Sequence, residues 1–292
     1  MGLILIFLPQ PLSGGVSWLM NCILDLFIWS VDSGLQLPGA SLRVPSPPSW
    51  MWILYAFAMT AVMWALRRQS RTGLIAAASL VSILTLAIAL GDFSPPAPQH
   101  PTLTFIDVGQ GDAALIELPD GKRVVVDGGG VVSGGYRSLR EAGTFSIGEN
   151  VVSAYLFSLG LRRLDAIALT HAHHDHMDGL FDLIRNFEIG EVWLGKNPAV
   201  PRYRELIQEI YQHNIPIRWL GAGDSIGPFR VLNPSQDQIP APRVHNDDSL
   251  VLMLETGTAR ALLTGDLESD LEGLPDYVDV LKVPHHGSKN TR

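Results

Sequence analysis

Two long runs without a charge limit this chain more than any other feature. Residues 50–66 (WMWILYAFAMTAVMWAL) and 72–90 (TGLIAAASLVSILTLAIAL) hold no Asp, Glu, Lys or Arg over 17 and 19 residues. Each is near the roughly 20 residues that cross a bilayer core as helix, and neither has the polar face of a buried helix in a soluble protein. Arg67-Arg68-Gln69-Ser70-Arg71 joins them as a basic loop. The preference of basic loops for the cytoplasm puts that loop inside and everything after Gly91 on the extracytoplasmic side. Residues 3–8 are too short to span and are broken by Pro9 and Pro11. Residues 12–31 are long enough but carry Asn21 and Asp25, the latter a residue that in a membrane expects neighbouring helices. The N-terminus has no basic region of a secretory signal. The expectation is two to three transmembrane helices over residues 1–91, with a Pro-rich outer connector at 37–49.

Charge divides the chain at the same place. Residues 1–92 contain seven charged side chains, whereas residues 101–292 hold 17 Lys/Arg against 26 Asp/Glu. So acidic a domain is a poor general trap for nucleic acid, which calls for a basic surface. Residues 92–101 (DFSPPAPQHP) read as a stiff, extended linker between the two parts. The single cysteine, Cys22, excludes a disulfide framework.

From residue 102 the pattern changes to short β-type runs punctuated by glycine. Strands are predicted at 103–108, 113–118, 123–127, 166–170, 191–194, 217–220, 250–255, 259–264 and 278–283. Helices are predicted near 151–159, 178–186 and 203–213, which makes a layered α/β fold over 102–292. Seven of the nine histidines fall in three clusters near strand ends: His171, His173, His174 and His176, then His245, then His285 and His286. Four histidines and Asp175 within six residues form a metal-binding signal. Two histidines at i, i+2 in an extended loop chelate one ion, and Asp175 and His176 in the following turn reach a second. Imidazole and carboxylate suit borderline divalent ions such as zinc and manganese. His213, at a helix end, carries no such reading.

The segment Thr170-His171-Ala172-His173-His174-Asp175-His176 resembles the H-x-H-x-D-H signature of the metallo-β-lactamase superfamily. The resemblance implies an αββα sandwich holding two divalent metal ions. His171 and His173 then serve one metal, Asp175 and His176 the other, and His174 neither. It further implies Asp266 (in Leu-Thr-Gly-Asp) as the bridging ligand, His245 as third histidine of the first site, and His286 as last ligand, with His285 supporting it or standing at the substrate. Asp175 and Asp266 orient the attacking water; Asp107, Asp112 and Asp127 are candidates to support the ligands from behind.

Residues 105–113 (FIDVGQGDA), 126–129 (VDGG), 246–252 (NDDSLVL) and 283–288 (VPHHGS) together are similar to the ComEC competence-protein family. That resemblance covers nearly the whole chain. It implies a bacterial inner-membrane protein of DNA uptake in transformation, whose hydrolase domain degrades single-stranded DNA beside other competence-machinery proteins. It also implies more membrane helices before residue 1 and more strands after residue 292, so the chain reads as a C-terminally incomplete fragment. Two other readings fit the same residues: a tethered metallo-hydrolase of another ester or a lactam, and a fragment that neither transports nor hydrolyses.

Overall fold

The computed structural model describes residues 10–35, 43–130, 145–257, 259–271, 273–274 and 276–289. The apolar start at 3–8 and the first six residues of the outer connector, 37–42, lie outside them. The chain divides into two compact units, Met1–Arg43 and Val44–Arg292. In the first, α1 (Gln10–Leu35) is one helix of 26 residues. In the second, α2 (Ser49–Arg67) and α3 (Arg71–Leu90) form a hairpin. Ser70 caps α3 by accepting a hydrogen bond from Gly73 N (3.2 Å), and Gln69 takes the left-handed conformation that the tight turn needs. Small residues (Ala58 and Ala65 on α2, Ala77 on α3) are among the buried ones, which lets two backbones approach closely. All three helices are long and apolar enough to cross a membrane.

The rest is a two-sheet sandwich. The first sheet runs β1 (Thr102–Phe105), β2 (Ala114–Glu117), β3 (Arg123–Val126), β4 (Arg163–Leu169), β5 (Glu188–Leu194) and β6 (Ile217–Trp219) in spatial order. β1 to β3 are antiparallel neighbours, and β3 to β6 are parallel. The second sheet has the order β11 (Val280–Lys282), β10 (Arg260–Leu263), β9 (Val251–Glu255), β8 (Phe229–Asn233), β7 (Ser225–Ile226).

Alternation along the strands sorts side chains into layers. Leu115, Val125, Ile167, Leu169, Val192 and Leu194 face a helical layer. Their neighbours Ile116, Val124, Val126, Ala166, Ala168 and Trp193 face the second sheet, meeting Leu252, Leu254, Ala261, Leu263, Val231 and Phe229. The helical layer is α4 (Ala154–Ser158, preceded by a π-helical turn at Gly148–Ser153), α5 (His174–Asn186) and α6 (Pro201–Gln212). α5 buries Met177, Leu180, Phe181 and Ile184, and α6 buries Tyr203, Leu206 and Ile210, each at helical spacing. The outer face of the second sheet buries Val251, Met253 and Leu262 under Leu267, Leu271 and Val278; no helix covers it among the described residues.

Two expectations need adjusting. α5 begins four residues earlier than the apolar pattern indicates, because its first turn is the polar His174-Asp175-His176, which carries no hydrophobic period. The 92–101 linker lies against the domain: Arg123 Nη2 donates to Pro95 O (2.6 Å), and Arg162 Nη2 reaches Ala89 O at the end of α3 (2.5 Å).

Candidate metal centre

The ends of β3, β4, β5, β10 and β11 and the starts of β2 and β9 lie on one rim of the sandwich. That rim is where open α/β sheets place their ligands. β4 runs into Thr170-His171-Ala172-His173, and Asn197 beyond β5 fixes this loop by accepting a hydrogen bond from Ala172 N (2.8 Å). His171 is fully buried, and its Nε2 sits 2.8 Å from His173 Nδ1. Burial holds both imidazoles below the usual histidine range, His171 well below, so both are neutral and carry the lone pairs a cation needs.

The first turn of α5 presents Asp175 and His176. Backbone packing fixes that turn, since it lies on a loop of glycines. Gly128 N donates to His176 O (2.8 Å) and Gly179 N to Gly129 O (2.9 Å). A Cβ on Gly179 would lie 1.8 Å from Gly128 O, and one on Gly130 would lie 1.8 Å from His174 O. His176 is buried, and its Nδ1 donates to Asp127 Oδ2 at 2.8 Å. Asp127, itself buried, also accepts from Thr170 N and Thr170 Oγ1, both at 2.7 Å. Fixing the proton on Nδ1 turns the lone pair of Nε2 toward the cluster.

The second sheet supplies the opposite wall. Asp266 follows β10 through Gly265, whose φ is +54° and whose Cβ position lies 2.9 Å from Thr170 Cβ. After β11, His285 and His286 both take left-handed backbone (φ 44° and 50°), which swings His286 inward. Its Nε2 lies 3.4 Å from Asp266 Oδ2 and 3.8 Å from Asp175 Oδ2. His285 turns instead to Glu268 (2.6 Å) and Asn246 (3.3 Å), a supporting contact.

Asp112, His176, Asp266 and His286 each offer a ligand atom within 4.8 Å of the others. His176 Nε2 gives the test of whether a cation fits. It is buried, lies 3.2 Å from Asp266 Oδ2 and 4.0 Å from Asp175 Oδ2, and is aligned for a hydrogen bond with neither. Lone pairs from several donors converging without hydrogens between them fit a metal ion. In the protein alone the carboxylates draw protons there. Burial opposes a charge on His176, yet Asp127 and Asp266 push it up to about 10. Asp112 and Asp266 raise His286 to about 9, against its burial. Burial raises Asp266, but His176 and His286 outweigh this and hold it far below the carboxylate range.

Several side chains differ from expectation. Asp112, expected in support, points its carboxylate into the cluster. Asp107 is exposed and accepts from Gly109 N (3.2 Å), a local turn bond. His245 is exposed, with its backbone N donating to Asp248 Oδ2 (2.9 Å), so the turn it opens holds it outside the group. Ser249, four residues on, stands beside His171 (Oγ to Nδ1 3.5 Å) and accepts from Asp266 N (3.1 Å). His174 meets Asp178 (3.1 Å), which Arg202 also engages (2.8 Å), away from the cluster. His213 ends α6 against Glu209 O (3.0 Å). Lys282 joins the site without having been expected there: its ammonium contacts Asp112, donates to Gly265 O (2.8 Å) and lies 3.4 Å from Asp266 Oδ1. Its trace in the sequence is a lone lysine in the apolar strand Val280-Leu281-Lys282-Val283.

The family model of the metallo-β-lactamase superfamily matches residues 106–291. The chain belongs to that superfamily. Its fold is one that binds divalent metal and supports metal-dependent hydrolysis. As a superfamily member it is similar to ComE operon protein 3 of Bacillus subtilis, 29% identical over 86% of this chain and 33% of that protein. Recombination protein 2 of Haemophilus influenzae is 26% identical over 95% of this chain and 32% of that protein. Competence protein ComA of Neisseria gonorrhoeae is 29% identical over 52% of this chain and 21% of that protein. These relatives are ComEC-type competence proteins, and the chain spans about a third of the first two.

Proposed function

We propose that this chain is a membrane-tethered phosphodiesterase that hydrolyses single-stranded DNA during uptake, with its hydrolase domain on the extracytoplasmic face of the bacterial inner membrane. The observation that carries the reading is the convergence on His176 Nε2 of Asp175, Asp266 and His286 from both sheets, beside the facing pair His171 Nε2 and His173 Nδ1. His171 and His173 would hold one divalent ion, and Asp175, His176, Asp266 and His286 a second. Such ions, zinc or manganese, supply an acidified water and neutralise the charge that builds on a phosphoryl group.

The protein's own groups do the rest. Asp175 and Asp266 accept from the attacking water and direct its lone pair. Lys282, held between Asp112 and Asp266, brings a fixed positive charge to the place a phosphodiester must enter, which offsets locally the acidity of the domain. Asp127 holds His176 in one tautomer. The similarity to competence proteins supports DNA as the phosphodiester, and the basic loop Arg67–Arg71 supports the orientation.

The test is to load the detergent-solubilised chain with manganese or zinc and add labelled single-stranded DNA. Cleavage that Asp175→Ala abolishes is the expected result. Intact DNA together with brisk hydrolysis of a lactam or a carboxylic ester refutes the phosphodiesterase reading. Absence of metal uptake refutes the enzyme altogether.

A further inference from the structure

Beyond the metal loop lies a cavity of about 500 Å³ between α6, β6 and the segment after β5. Its lining includes Lys196, Tyr203, Arg204, Tyr211 and Trp219. Two cations and three aromatic rings meet there, and no carboxylate lines it among the described residues, in a domain with 26 acidic residues. The cleft at the opposite end of the sandwich also has two cations, Lys122 and Arg218, but there Asp165 and Glu191 stand beside them. Tyr211 and Trp219 are 64% and 54% exposed, so two ring faces stand open to solvent at the cavity. Arg204 is exposed and makes no ion pair among the described residues. Tyr203 is only 4% exposed, yet its hydroxyl has no hydrogen-bond partner among the described residues. Burial raises that phenol further, so it stays a neutral donor. One more residue ties the cavity to the chemistry: Asn197 lines it and also holds Ala172, between His171 and His173.

We propose that this cavity is a stacking subsite for single-stranded nucleic acid, where bases lie on Tyr211 and Trp219 while Lys196 and Arg204 meet the backbone phosphates. Flat aromatic faces tolerate every base, and paired with cations they are the common means of holding an unpaired strand without reading its sequence. The Asn197 contact places the bound strand next to the metal loop, so the next phosphodiester is delivered to the cluster. An acid-free aromatic surface answers the objection that the domain as a whole repels a polyanion. The subsite deepens the DNA-hydrolase reading and rests on it for its purpose, but binding can be read without catalysis.

The experiment measures anisotropy of a labelled oligothymidylate with the full chain in detergent and EDTA, where no cleavage occurs. Tyr211→Ala and Trp219→Ala should each weaken binding at least about fivefold. Trp219→Phe should restore most of it, because a ring remains. An abasic oligonucleotide, which loses stacking on both rings, should bind the parent chain at least as weakly as the normal oligonucleotide binds Trp219→Ala. Unchanged affinity in both alanine variants overturns the subsite, as does equally tight binding of the abasic strand. Metal-loaded cleavage separates the two ideas. A parent chain that binds through these rings but does not cut sinks the hydrolase reading and supports the subsite. A Trp219→Ala chain that cuts the oligonucleotide with unchanged KM sinks the subsite alone. With the subsite in place, that KM rises in Trp219→Ala while kcat at saturating oligonucleotide is unchanged, because the ring holds the strand and takes no part in the cleavage.

Discussion

Gly179 gives the strongest structural prediction, because the site depends on a backbone-to-backbone contact that a single methyl would occupy. In Gly179→Ala the new Cβ lies 1.8 Å from Gly128 O and 2.6 Å from Gly128 C, where real Cβ atoms do not approach within 3.0 Å. Both sides are main chain, so no side chain can swing aside; α5 and the glycine loop must part by about an ångström or more. Overpacking of this kind costs about 3 kcal/mol at the upper end of its usual range. Loss of the Gly179 N to Gly129 O and Gly128 N to His176 O hydrogen bonds adds about 1 kcal/mol each. The better helix propensity of alanine returns about 1 kcal/mol. The net is about 4 kcal/mol, or a fall in melting temperature of roughly 8–16 °C for a domain of this size. Thermal unfolding of the full chain in detergent measures it, with Gly257→Ala as control. At Gly257 nothing lies within 4 Å of the Cβ position, so that variant should melt as the parent does. A Gly179→Ala protein melting within about 2 °C of the parent would show that the loop yields freely, and the account of why α5 sits where it does would be wrong.

Asp127→Asn keeps the shape of the buried carboxylate but removes its charge from His176 Nδ1. Metal affinity measured by competition with a chromophoric chelator should fall about 10- to 100-fold, as for other losses of a ligand's supporting carboxylate. His286→Ala should lower the metal stoichiometry counted by atomic emission, whereas His285→Ala should keep it, since His285 contacts Glu268 and Asn246. The metal-free protein should be destabilised by alkali. Its His176 and His286 are raised from 6.5 to about 10 and about 9, so their contribution is complete below about pH 6.5 and is lost as pH rises through 9 to 10. Melting in EDTA from pH 6 to 10 checks this, and a flat profile would contradict the raised values.

The candidate ligand histidines are legible in the sequence because metal chemistry demands particular residue types at short spacing, and neither a core nor a solvated surface calls for a run such as His171–His176. The strands are legible because the two-sided burial of residues such as Val124 and Val125 requires continuous apolar runs. The short β7 and β8, joined by Gly227-Pro228, are not, since two and five residues between turns carry little period. The inward position of Asp112 is hidden for a different reason. Its carboxylate reaches the cluster because Gly111 lets the chain pass Asp175 O, where a Cβ would lie at 2.1 Å; this is a tertiary contact with no local signature. His245 shows the converse: a histidine at a plausible position is turned outward by its own Asn246–Asp248 turn, while Ser249 occupies the place beside His171.

The candidate ligands come from both sheets: His171, His173, Asp175 and His176 follow β4, whereas Asp266 and His286 follow β10 and β11. A cation shared between them fastens the two layers at one rim, where otherwise the Leu250 N to Thr170 O hydrogen bond (2.7 Å) is a main-chain link from sheet to sheet. Metal binding is therefore linked to folding of the whole sandwich, not to one loop. At a free metal concentration 100 times the dissociation constant the linkage is worth about 2.7 kcal/mol, and the melting temperature should rise by roughly 5–11 °C over the EDTA-treated chain. Asp266→Ala, which removes the carboxylate facing both His176 and His286, should abolish most of that rise, and Trp219→Ala, far from the ligand set in sequence and chemistry, should leave it intact. Hydrogen exchange gives the finer reading: protection gained on adding metal should appear in β10 as well as β4. Protection confined to residues around His171–His176 would mean that the ion is held by one layer alone, and the two-sheet ligand set would have to be abandoned.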